Sequence, residues 1–100
     1  MPKIIVFTNP STEYSLLEGS TSIGRSPTSD IVIDDKSVSK RHALITLQSM
    51  KNGEVRVQIA DLHSTNGTFV GGSRINYHTL EDNEQISVGT VQCSYVSGEL

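Results

Sequence analysis

Arg25, Ser39 and Lys40 are the side chains in this 100-residue chain whose types and spacing could do chemistry, and that chemistry is the grip of an anion. Arg25 follows Gly24 and offers a planar fork of N–H donors that matches the oxygens of a phosphate two at a time. Ser39 brings a hydroxyl donor and Lys40 a mobile point charge. A third cluster, Ser64-Thr65-Asn66-Gly67, adds a second hydroxyl and a carboxamide. The Asn66 amide carries both a donor and an acceptor, which suits a peptide backbone better than a phosphate. Thr65 can add its hydroxyl on the phosphate side. All three clusters stand where strand-like sequence gives way to turn residues, so they are loop features. Their common target is a phosphate monoester carried on a peptide.

Other chemistries fit less well. Ser39 and His42 could pass for a nucleophile and its base. However, a serine and a histidine three apart on an extended loop do not bring hydroxyl and imidazole together, and a triad is defined by geometry. His42, His63 and His78 lack metal-ligand spacing, and Cys93 is the only cysteine, so no metal is expected. Neither a glycine-rich nucleotide loop followed by lysine nor any other cofactor signature is present. The formal net charge of −3 argues against nucleic acid, whose affinity comes from many neutralised phosphates. Four of the eight Lys and Arg residues lie between positions 25 and 41, where Asp30, Asp34 and Asp35 nearly cancel them. The positive field must therefore be local to the loop tips.

The order of the clusters resembles the forkhead-associated (FHA) domain, a module that reads phosphothreonine in partner proteins. The likeness runs through Ile23-Gly24-Arg25, Asp30 to Asp35, Val38 to Ala43, Asp61 to Val70, Leu80-Glu81-Asp82 and Ile86 to Gly89. It implies a single FHA domain over residues 1–100, with its core at about 3–96. It implies a two-sheet β-sandwich of about eleven short strands, FHA/SMAD-like, with the binding loops at one end. Carried over residue by residue, it makes Arg25, Ser39, Lys40, Thr65 and Asn66 the phosphopeptide ligands. Gly24, His42 and Gly67 become loop supports, with His42 bracing the loop from beneath. No residue is catalytic. The implied partner is a protein phosphorylated by a Ser/Thr kinase, and phosphothreonine is preferred to phosphoserine because its methyl fills a small pocket. A phosphate-independent scaffold that binds through a sheet face is the alternative. Two positions depart from the family pattern. His63 stands where glycine is frequent, which bears on the shape of the third loop, and Gly71 stands where asparagine is common, in a tight turn.

The elements that must carry these loops are short and β-prone. Residues 4–7, 14–17, 21–24 and 31–33 read as strands between turn signals. Residues 43–47 alternate, with Ala43, Ile45 and Leu47 on one face and Leu44 and Thr46 on the other. Val55, Val57 and Ile59 alternate with Arg56 and Gln58. Lys51-Asn52-Gly53 predicts a hairpin with positive φ at both Asn52 and Gly53, and Gly89-Thr90 predicts a second one between residues 86–88 and 91–96. Asn66-Gly67 is also a hairpin signal. Nowhere do apolar residues recur at helical spacing, so no helix is expected. Length suits one domain, and the chain could be part of a larger multidomain protein. The lone cysteine points to a reducing, cytoplasmic setting. With no apolar run near the ~18 residues of a membrane span, no membrane association is expected. Residues 97–100 read as a frayed end.

Overall fold

Alternation of buried and exposed side chains along the strands decides how the chain folds into layers. In the computed structural model, which describes residues 1–98, β1 (Lys3–Val6), β5 (Ala43–Ser49) and β6 (Val55–Asp61) each turn every second residue inward. The inner faces carry Ile4 and Val6, then Ala43, Ile45 and Leu47, then Val57 and Ile59, all buried. A period of two with one apolar face is the signature of a sheet that covers a core on one side only. Two such sheets meet face to face here.

The remaining strands are β2 (Thr12–Ser15), β3 (Gly19–Gly24), β4 (Ile31–Val32), β7 (Thr68–Val70), β8 (Ser73–Ile75), β9 (Tyr77–Thr79), β10 (Gln85–Val88) and β11 (Val91–Val96). One sheet has six strands in the order β2-β1-β11-β10-β7-β8, and the other five in the order β4-β3-β5-β6-β9. All pairings are antiparallel except β3 with β4, which run parallel through Ile23↔Ile31 and Gly24↔Val32. No helix occurs among the described residues. The expected sandwich of eleven short strands is what the chain forms.

Local readings differ in detail. The second strand begins two residues earlier than residues 14–17, because Thr12 and Glu13 already pair with Val6 and Ile5. In the turn after β5, Gly53 alone has positive φ (87°), and Asn52 does not. Gly53 N–H bonds the Met50 carbonyl and Met50 N–H the Glu54 carbonyl, a three-residue loop rather than a two-residue one. The Gly89 turn does follow Gly-X chemistry, with φ of 58° at Gly89 only, between the paired Val88 and Val91. Gly71 and Gly72 both have positive φ in the tight turn joining β7 to β8, a conformation that asparagine also tolerates. Ser97 N–H is held by Asp82 Oδ1 at 2.8 Å, so the end is tied down at that residue, and residues 99–100 lie outside the described residues.

Candidate functional site

The connections at one end of the sandwich build the site: residues 25–30 after β3, 33–42 after β4, and 62–67 after β6. Backbone bonds lock the first two together. Arg25 N–H donates to the Ser39 carbonyl at 3.0 Å and Ser26 N–H to the Lys40 carbonyl at 3.2 Å. Gly24 is what permits this approach, since a β-carbon there would run into the Lys40 carbonyl oxygen. The long second connection is pinned from below by Val38, which is buried in the core. Arg25 Nε reaches across to the Val38 carbonyl at 3.0 Å. One of the five guanidinium N–H groups is thus used for aim, and the rest have no partner among the described residues.

His42 ties the second connection to the third. It is fully buried. Its Nδ1 accepts the Ser39 N–H at 3.0 Å, and its Nε2 faces the Gly67 carbonyl at 2.9 Å. An N–H donor at one nitrogen and a carbonyl at the other fix the neutral tautomer with the proton on Nε2. Neither nitrogen is then free to take a proton from Ser39, so a serine–histidine catalytic pair does not exist here. Ser39 Oγ instead accepts the Thr65 N–H at 3.1 Å, which leaves its own O–H to donate outward.

Asn66 and Gly67 do not form a hairpin, because β6 and β7 belong to different sheets and the connection crosses between them. Asn66 lies exposed at the tip, where Nδ2 donates to the Ser37 carbonyl at 2.9 Å and Oδ1 is left as an open acceptor. Gly67 has φ of 91°, a left-handed conformation that favours glycine, and a β-carbon there would press on the Arg74 side chain. Arg25, Ser39, Thr65 and Asn66 therefore share one rim. Lys40 is exposed beside them, and its backbone is fixed by Ser26.

Two supports were not singled out from sequence. Asp61 at the end of β6 accepts Ser64 Oγ (2.6 Å) and Thr68 Oγ1 (2.8 Å) on Oδ1 and Ser64 N–H (3.1 Å) on Oδ2. Ser64 Oγ in turn accepts the Gly67 N–H at 3.0 Å. Ser37 is the second. It donates N–H and O–H to Asp35 Oδ1 and accepts the Thr90 N–H from the β10–β11 turn. The signal for the first was an aspartate followed by serine three residues on and then by glycine, a pattern of local side-chain-to-backbone bonding.

These bonds leave an electrostatic trace. Partial burial pushes the Asp61 carboxyl up, but the bonds from Ser64 and Thr68 outweigh it and hold the group below the ordinary 3.8. The Ser37 hydroxyl and N–H lower Asp35 in the same way. A carboxyl whose pKa is depressed in the folded state binds fewer protons there than when unfolded. Its stabilisation is complete above the ordinary value and is lost as pH falls through the folded one. Thermal melts are therefore expected to hold a plateau above about pH 5 and to fall steeply below about pH 4, less steeply in Asp61→Asn. A Tm that is flat down to pH 3 contradicts this. Cys93 is different in kind: burial alone pushes its thiol up to about 12, so it is an inert core residue.

His63 explains the family's glycine. Its φ of 57° is left-handed, a region that costs a side chain about 1–2 kcal/mol and glycine nothing. The histidine holds this conformation at that cost. His63→Gly is expected to raise stability by about 0.5–1 kcal/mol once the extra freedom of the unfolded glycine is subtracted. In a thermal melt this is a rise of about 2–8 °C; an unchanged or lower Tm contradicts the strain.

Comparison with known proteins agrees with the fold. The FHA domain family model matches residues 21–89. The glycogen accumulation regulator GarA of Mycolicibacterium smegmatis is 33% identical over 90 residues, covering 90% of this chain and 54% of that protein. The oxoglutarate dehydrogenase inhibitor of Corynebacterium jeikeium is 32% identical over 90 residues, covering 90% and 59%. The chain thus spans little more than half the length of the curated relatives it matches. Among solved structures, an FHA domain studied for phosphothreonine-dependent interactions superposes with a TM-score of 0.89 at 28% identity, covering 99% of this chain and 98% of that one. The family model covers more than half of the chain and the two-sheet frame superposes on that of an FHA domain, so the chain belongs to the FHA domain family.

Proposed function

We propose that this domain binds phosphothreonine in a partner protein and acts as a regulatory binding module, not as an enzyme. The observation that carries the reading is the convergence of Arg25 and Ser39. Their backbones are hydrogen-bonded, and the guanidinium and hydroxyl both have unused donors at the same rim. The phosphate dianion takes charge-assisted hydrogen bonds from Arg25, Ser39 and Lys40. Thr65 adds a hydroxyl, and Asn66 offers Oδ1 and its second N–H to the peptide main chain. This is the mode of Arg-based phosphopeptide readers. The likeness to a domain studied for phosphothreonine-dependent interactions supports it, as do the names of the curated relatives, a regulator and an inhibitor. Preference for threonine over serine follows the family.

The partner in this reading is the product of a Ser/Thr kinase, met in the cytoplasm. No helix among the described residues is long and apolar enough to cross a membrane. Residues 1–100 form one FHA domain, within a larger protein if the chain is part of one. The test is direct. A phosphothreonine peptide pool is passed over the immobilised domain before and after phosphatase treatment. Retention that disappears with the phosphate supports the reading. Equal retention of both pools overturns it and favours a phosphate-independent sheet-face scaffold.

A further inference from the structure

The outer face of the five-stranded sheet, next to the rim, holds an open groove of about 420 Å³ that the phosphate chemistry does not use. Ser22, Thr28, Ser29, Arg41, Leu44 and Leu62 line it. Arg41 directly follows Lys40, yet it turns onto this face. Its backbone is fixed on both sides, since Ser26 holds the Lys40 carbonyl and His42 holds Ile23 and Leu62. The Arg41 guanidinium has no hydrogen-bond or ion-pair partner among the described residues. No acid lines the groove with it. Asp30, which bonds Ser22 through Oδ2, lines a neighbouring depression with Thr21 and Ile31. Leu44 and Leu62 are half-buried and form an aliphatic floor.

Toward the β10–β11 turn lies Ser37, which engages Asp35 and accepts the Thr90 N–H, with the exposed Lys36 between Asp35 and Ser37 in the chain. Toward the five-stranded sheet lie Arg41 and the two leucines. A peptide that crosses the rim with its phosphate at Arg25 meets the Arg41 cation over an apolar floor on the flank of the five-stranded sheet. Ser22 is three strand residues before Arg25, about 10 Å along β3. An extended peptide covers that distance in about three residues.

We propose that this groove is a second subsite of the domain. It takes an aspartate or glutamate with an adjoining aliphatic residue, from the segment that carries the phosphothreonine and within about four residues of it. The carboxylate pairs with Arg41, and the aliphatic side chain covers Leu44 and Leu62. The subsite rests on the phosphothreonine reading above and adds to it a choice among phosphopeptides.

The experiment selects from a phosphothreonine peptide library, degenerate at five positions on each side, with the wild-type domain, Arg41→Ala and Arg41→Glu. Wild type is expected to enrich Asp or Glu at a position on one side of the phosphothreonine. Arg41→Ala is expected to retain phosphate-dependent binding but lose that enrichment, and Arg41→Glu to replace it with Lys or Arg. Measured one peptide at a time, exchanging the selected acid for alanine weakens wild type by about two- to fivefold, as for an exposed ion pair, and leaves Arg41→Ala unchanged. Identical selection by wild type and Arg41→Ala overturns the subsite while leaving phosphothreonine recognition intact. If wild type retains no phosphothreonine peptide at all, the recognition and the subsite fall together.

Discussion

Replacing Arg25 with alanine is expected to weaken binding of a phosphothreonine peptide by about tenfold to a hundredfold. The magnitude reflects the donors the guanidinium has left to give. One N–H is held by the Val38 carbonyl, so the group is aimed before any ligand arrives and loses less freedom on binding. The remaining donors match a dianion in pairs. Truncating one member of a charge-assisted set costs ~2–5 kcal/mol when the set is fully desolvated. Arg25 is exposed in the free protein, which places the expectation around and below the lower end of that range, about 1.4–2.8 kcal/mol. Arg25→Lys separates charge from shape, since lysine keeps the charge but loses the fork and the bond to Val38. Its affinity is expected between wild type and alanine. Titration calorimetry with the phosphorylated and unphosphorylated forms of one peptide checks both variants. If Arg25→Ala binds the phosphorylated form as well as wild type does, phosphate is not read at this rim.

How far the scaffold and the site could be read from sequence depends on the physics of each element. β5 and β6 run seven residues each, long enough for alternation to define an inward face, and their pattern of Ala43, Ile45, Leu47, Val57 and Ile59 is the buried one. β7, β8 and β9 have three residues each, too few for any period, and only their pairing partners make them strands. Asn-Gly was informative about turning but not about the kind of turn. At residues 52–53 only the glycine is left-handed, and at residues 66–67 the chain passes from one sheet to the other. The rim residues were legible because arginine, serine and asparagine announce their chemistry. What holds them was less legible: Asp61 and Ser64 act through local bonds a few positions apart, but Ser37 is tied to atoms far along the chain. Asn66 to Ser37 spans 29 positions and Thr90 to Ser37 spans 53. No local pattern encodes contacts of that range.

The support of the rim is most concentrated at His42, the brace expected from sequence, and His42→Ala is expected to cost about 3–5 kcal/mol of stability. The side chain is wholly buried, so its loss leaves a cavity. It also strands the Ser39 N–H, an unmade hydrogen bond worth about 1–3 kcal/mol, and leaves the Gly67 carbonyl with only the Gly89 N–H. A domain of this size has about 5–15 kcal/mol in all, so the variant folds but with little margin, and its Tm falls by more than about 10 °C. Loss of a brace, unlike loss of a catalyst, disturbs the geometry of the groups it holds. Because His42 sets the backbone of Ser39, phosphopeptide affinity is expected to fall as well, measured at a temperature where circular dichroism shows the variant folded. His42→Gln can accept with its oxygen and donate with its nitrogen, and is expected to recover part of both losses. If His42→Ala melts and binds like wild type, the imidazole is not what holds the second connection against the third. The convergence of Arg25, Ser39 and Thr65 would then need another cause.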